Sequence, residues 1–242
     1  MVATRFEFEY RFWIICAIYF VGFALSIFDH AQFIVALRQL IAPGIAAHTA
    51  EAATFARTIV GIGAVLVFAA AALRTWAAAY LQSAIVHDAS QHSDALVVDG
   101  PFRYTRNPLY LGNLPLAAGI GVLASRTGFI FLVLANWIFV SRLIGREEEA
   151  LGQTLRESYR AYVRAVPRFW PTLRPRVSPS GRSPHWVQAF AGEAFVWIFG
   201  VAESLIAITL NVRLGLIVFL VAFLSYFIPL QLARKQKPSR AD

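Results

Sequence analysis

Cysteine occurs once, at Cys16, which excludes a disulfide framework within the chain and any paired-cysteine spacing of the zinc or redox type. Charge is scarce as well. Asp, Glu, Lys and Arg together make up 15% of the residues, against about 25% in an ordinary soluble domain. That shortfall excludes a disordered, fibrous or standard soluble chain. What is abundant is apolar: 58% hydrophobic residues over 242 positions and a mean hydropathy of +0.58. A polytopic helical membrane protein is the class that fits.

The net charge of +8 would raise nucleic acid as a partner in a soluble protein, but its distribution argues otherwise. Seventeen of the 22 Lys and Arg fall within residues 1–11, 81–107, 142–182 and 233–242. Basic residues bunched into alternate connections are what the positive-inside bias produces. No nucleic-acid partner is expected.

Residues 12–28 carry no charge, and Arg11 and Asp29 flank them as a first span. An amphipathic stretch covers 31–42. A second span runs from Thr54 to Tyr80, with Arg74 near enough to its end to snorkel to the interface. The third run lies between Arg106 and Arg126, with Pro108 and Pro115 inside, and the fourth follows a Ser125–Gly128 turn as far as Ser141. Residues 186–210 and 214–233 form a second hairpin. The expected architecture is therefore all-α: a polytopic membrane bundle of about six spans, with both termini and the longer polar connections cytoplasmic. Four segments follow: membrane spans over 1–84, a core over 85–172, a basic Pro-rich linker over 173–185, and a helical hairpin with a basic tail over 186–242. Glu193 and Glu203 lie inside the fifth span, where a carboxylate is costly. Glu193 can reach the headgroups, and Glu203 needs a partner or a task.

Leu151, Leu155, Tyr159, Tyr162 and Val166 are spaced as one face of an amphipathic helix over 143–166. Arg156, Arg160 and Arg164 fall opposite, with Glu149 at their edge as a solvated charge. Glu148 falls on the apolar face and Glu147 at its margin, so these carboxylates need partners. They either pair with Arg142, Arg146 or a basic loop, or hold a cationic, donor-rich ligand.

The other long connection reads DALVVDGPFRYTRNPLYLG from Asp94 to Gly112. Gly100-Pro101 breaks the chain, Arg103 and Arg106 supply positive charge, and Pro108 takes a permitted first-turn position of the following helix. A ligand with both a carboxylate and a cationic centre would match this lip and the glutamate pair. No metal site is expected.

The pairing of GPFRYTRNPLYLG with REEEALGQTLRESYRAYVRAVPRFWP resembles the isoprenylcysteine carboxyl methyltransferase and phospholipid methyltransferase superfamily over about residues 85–172. The resemblance implies a membrane enzyme that uses S-adenosylmethionine. It implies cofactor contacts at His87, Asp94, Ala95, Leu96, Val97, Phe102, Arg106, Asn107, Pro108, Leu109, Tyr110 and Glu147. Two departures stand out. Asn107 replaces the familiar histidine of Arg-His-Pro, and Leu143 stands where the isoprenylcysteine enzymes carry an arginine for the substrate carboxylate. Arg142 and Arg146 are the nearest candidates to bind substrate instead. Gly119-Ile120-Gly121 resembles a phospholipid methyltransferase Gly-x-Gly, although small residues in a span more often serve helix packing.

The expected activity is methyl transfer from S-adenosylmethionine to a lipidic or amphiphilic acceptor from the bilayer: a carboxylate, an amine or a thiol. An amine or thiol needs a base, for which Glu148 and Tyr159 are placed. Two alternatives are a membrane-embedded NADPH-dependent reductase of the sterol type and a non-enzymatic helix bundle. The oligomeric state is not legible in the sequence.

Overall fold

In a computed structural model, residues 2–85 and 96–235 are described, and they are helical apart from connecting segments. Thr4 and Glu7 form a reciprocal capping box that starts a one-turn helix α1, Arg5–Glu9. Then come α2 (Arg11–Ala24), α3 (Phe33–Ile41), α4 (Ala50–Ile85), α5 (Pro108–Leu111), α6 (Asn113–Gly121), α7 (Arg126–Ala165), α8 (Trp186–Thr209) and α9 (Val212–Lys235).

Among the described residues three helices are long and apolar enough to cross a membrane: Ala50–Leu81, Arg126–Ala165 and Trp186–Thr209. Arg11–Ile27 and Val212–Ser225 are shorter apolar helices. The third apolar run of the sequence folds as two short pieces rather than one span. Pro115 has no N–H to give the Leu111 carbonyl, which breaks the helix at Gly112. Phe20, Val65, Ile130, Leu134, Ile138 and Val201 point outward and exposed, as expected where lipid rather than water covers the surface.

Helix α4 is the central post, packed on α6 and α8, with α9 against α8 and α2 against α7. Val67, Ala70 and Ala71 of α4, Leu116 and Ile120 of α6 and Val196 of α8 share one buried cluster. At the α4–α6 crossing a Cβ on Gly119 would come within 2.6 Å of the Gly63 carbonyl, so close helix packing explains this glycine.

Two further expectations are corrected here. No helix boundary separates a fourth span from an amphipathic helix at Leu143. No proline falls in residues 141–146, and α7 continues through them to a single break at Arg156, where φ is 41° and ψ −107°. The Leu151–Val166 face does turn inward: Tyr159, Tyr162 and Val166 are buried with Leu151 and Leu155 against them, while Arg156, Arg160, Arg164 and Glu149 are exposed. Secondly, Arg74 does not snorkel and Glu193 does not reach for headgroups. They meet through two hydrogen bonds of 2.7 and 3.1 Å, and Arg74 also donates to Asn113 of α6. The Arg74 side chain passes over Gly112, where a Cβ would meet its Cγ at 2.6 Å. Glu203, expected to have a partner or a task, is fully buried, and neither of its oxygens has a hydrogen-bond partner among the described residues.

Candidate functional site

Helix α7 carries the two glutamates at the point where three other segments converge on it. Tyr110 of α5 donates to Glu147 Oε1 at 2.6 Å. Pro108 at the first position of α5 fixes this approach, because its φ suits a helix start and it needs no N–H partner there. Glu148 points about 100° further round the helix and meets a different set. Asn107 Nδ2 donates to its Oε1 at 3.2 Å, with the Arg106 guanidinium 3.3 Å away, and Arg168 Nε reaches its Oε2 at 3.0 Å. Asn107 Nδ2 also bonds the Arg168 carbonyl at 2.9 Å. The expectation that a basic loop neutralises a glutamate therefore describes Glu148.

Residues 166–181 run back along the Asp99–Arg106 loop and hold it by main-chain bonds. Arg106 N donates to Pro167 O at 2.9 Å, Thr172 N to Tyr104 O at 3.1 Å and Arg176 N to Arg103 O at 2.9 Å. Thr105 Oγ1 donates to Phe169 O at 2.9 Å and Tyr162 OH to Phe102 O at 2.7 Å. At the far end the buried Asp99 carboxylate accepts from Ser180 N at 2.8 Å, Gly181 N at 3.2 Å and the Ser180 hydroxyl. Burial alone would raise the Asp99 pKa, but these donors outweigh it and the carboxyl lies below its usual range. The basic, proline-rich interval is thus a strap over the site.

Of the residues singled out in the sequence, Phe102, Arg106, Asn107, Pro108, Tyr110, Glu147 and Glu148 converge here. Leu96 packs against the Tyr159, Tyr162 and Val166 cluster. Val97 lies in the irregular segment before Asp99, and Leu109 sits in α5 beside Tyr110. Tyr159 is buried in the cluster, within electrostatic reach of Glu148, Arg106 and Arg168. His87, Asp94 and Ala95 lie outside the described residues. Arg142 and Arg146 face another way. Arg142 pairs with Glu7 and Arg146 donates to Ala3 O at 3.1 Å. Arg168 was not singled out by sequence reasoning, although its Pro-Arg-Phe setting carried a signal.

The donor set suits a zwitterionic ligand with a cationic sulfur. Glu147 supplies negative charge oriented by Tyr110, and the buried Arg106 Nε is a donor with no partner among the described residues. Beside the site an open apolar groove of about 460 Å³ runs between α6 and α7, lined by Leu114, Pro115, Ala118, Val133, Leu134 and Trp137. The Trp137 ring meets the Phe169 ring edge-on at 4.9 Å, so this wall ends one residue from Arg168.

Residues 62–153 match the model of the isoprenylcysteine carboxyl methyltransferase (ICMT) family. No curated protein and no solved structure matches the chain. Members of the matched family are S-adenosylmethionine-dependent methyltransferases of the membrane.

Proposed function

We propose that the chain, whose residues 62–153 match the isoprenylcysteine carboxyl methyltransferase family model, is a multi-pass membrane methyltransferase of a lipidic acceptor, and that this acceptor is an amine or a thiol. On this reading it arrives sideways from the bilayer. The observation that carries the proposal is the guanidinium arrangement on α7. Leu143 is fully buried where a carboxylate-binding arginine would stand, and the neighbouring Arg142 and Arg146 are held by Glu7, Ala3 and Phe8. That leaves an anionic acceptor end without a free cation at positions 142, 143 or 146 to receive it. The groove wall at Leu134 and Trp137, reaching to Phe169, supports lateral arrival.

Glu147 and Tyr110 would hold the cationic side of S-adenosylmethionine, and the Arg106 guanidinium its carboxylate. The cofactor supplies a methyl carbon bonded to a sulfonium sulfur, open to in-line displacement. The protein's share is alignment and exclusion of water. Asn107, Arg106 and Arg168 fix Glu148 and with it the strap, which keeps the Tyr159 and Tyr162 cluster closed over the site. Glu148 is engaged by these three donors and burial pushes the Tyr159 phenol up to about 12, so neither serves as the base and the acceptor reaches the site with its proton already lost to solvent.

A lipidic amine must lose its proton before it attacks, so transfer should rise with pH until the free amine predominates. Acceptors with and without a long acyl or prenyl chain, assayed in detergent and liposomes from pH 6 to 9, test the proposal. The long-chain amine or thiol is expected to react fastest. Equal rates for a short soluble analogue would remove lateral arrival, and a strong preference for prenylcysteine would remove the argument from Leu143.

The basic bias also supports placing residues 81–107, 142–185 and the tail in the cytoplasm. Helix α8 separates exposed Ser178 from exposed Asn211. In a Cys16→Ser background, Ser178→Cys should label only after the inner face is exposed, and Asn211→Cys from outside. Labelling of both from one side would overturn this map.

A further inference from the structure

Residues 142 and 146, 143 and 147, and 144 and 148 form three adjacent stripes along α7, each pair four apart. The 143/147 stripe faces Tyr110, and Glu148 on the next stripe faces the loop and strap. The 142/146 stripe is covered by residues 3–8, which lie outside the matched family core. Arg142 donates to Glu7 at 2.7 and 3.1 Å, Ala3 N to Arg142 O at 3.0 Å, and Arg146 to Ala3 O. The Arg146 guanidinium lies 5.8 Å from the centre of the Phe8 ring. Below these polar contacts Leu143, Ala3 and Phe139 are buried together, with Phe8, Ile14 and Tyr110 packed against them. The N-terminal segment therefore bonds the turn of α7 that precedes Glu147 and shares one apolar cluster with Tyr110, which holds that glutamate.

We propose that residues 3–8 are a third wall of the cofactor site and that Glu7 is a positioning residue, which acts through Arg142 to hold Glu147 and Tyr110 in register. The inference rests on the reading of Glu147 and Tyr110 as cofactor contacts. Glu7 is well chosen for a clasp. Its Oε2 also accepts from Thr4 N at 2.6 Å, so the carboxylate is fixed by its own capping box before it meets Arg142. The Arg142 bonds first, and the Thr4 N–H second, hold it well below the usual carboxylate range, at about 2. It stays ionised throughout the physiological range. A tether of one turn, fixed at both ends, can transmit position where a long mobile side chain cannot.

Glu7→Gln separates the two roles of this side chain, because glutamine still closes a capping box but carries no charge for Arg142. In the full-length protein in detergent, Glu7→Gln is expected to raise the Kd for S-adenosylhomocysteine at least fivefold. KM for S-adenosylmethionine should rise with it, with kcat changed less than twofold. Arg142→Gln should do the same, and the double variant should be no worse than either, since both remove one interaction. Hydrogen exchange of amides 143–149 should quicken in Glu7→Gln while α8 stays protected. Unchanged Kd and unchanged exchange in Glu7→Gln, or additive losses in the double variant, would overturn the clasp. If the wild type binds no S-adenosylhomocysteine, the cofactor reading falls instead, and the exchange of 143–149 still decides whether Glu7 holds this turn.

Discussion

Glu147→Gln should lower the affinity for S-adenosylhomocysteine by roughly tenfold to a hundredfold, because a charged hydrogen-bond partner is worth about 1.5–3 kcal/mol. Glu147 is the carboxylate that Tyr110 orients at 2.6 Å, and glutamine keeps its shape but not its charge. Tyr110→Phe removes only the orienting hydroxyl, so a smaller loss is expected, about twofold to tenfold. Both variants should retain the wild-type melting temperature within a few degrees in the absence of ligand. Wild-type affinity in both, measured by calorimetry on folded protein, would show that the site lies elsewhere.

The second large effect concerns stability. Glu193→Ala should cost about 3–5 kcal/mol, because it leaves the Arg74 guanidinium buried with Asn113 as its remaining hydrogen-bond partner among the described residues. The side chains of Arg74 and Glu193 are only 14% and 10% exposed, so solvent does little to screen the lost partner. For a chain of this size the melting temperature should fall by roughly 6–20 °C. Replacing both members with apolar residues, Arg74→Met with Glu193→Leu, should recover most of the loss, since no charge is then left unpaired. Thermal unfolding in one detergent compares the three proteins. A single variant as stable as the wild type would mean that this pair does not hold α8 to α4.

What the sequence revealed follows the range over which its signals act. The inward face of Leu151, Leu155, Tyr159, Tyr162 and Val166 was legible because helical periodicity is local and survives the break at Arg156. Tyr110 and Glu147 were singled out through a motif pair, and the structure brings them to within a hydrogen bond of each other across 37 residues. The Arg74–Glu193 pair was not legible. Its partners are 119 residues apart, and each carried a plausible local reading as an interfacial charge. The strap was missed for a different reason. It holds the Asp99–Arg106 loop chiefly by backbone N–H and carbonyl groups, which every residue possesses and no side-chain pattern reports. The continuity of α7 through Leu143 was missed because a change from apolar to charged composition beside Ser141 and Gly145, both residues of capping type, looks like a boundary, although no proline marks one there. The guanidinium of Arg142, the nearest substitute for the missing arginine, is turned to Glu7 because positions 142 and 143 differ by about 100° around the helix.

The most direct test of the central claim, that the Tyr110–Glu147 centre holds S-adenosylmethionine, is a calorimetric titration of the purified full-length protein with S-adenosylhomocysteine and, separately, with NADPH. Saturable binding of S-adenosylhomocysteine at one site per chain, weakened by Glu147→Gln, with no heat from NADPH, is the predicted result. Saturable NADPH binding with none of S-adenosylhomocysteine would contradict it.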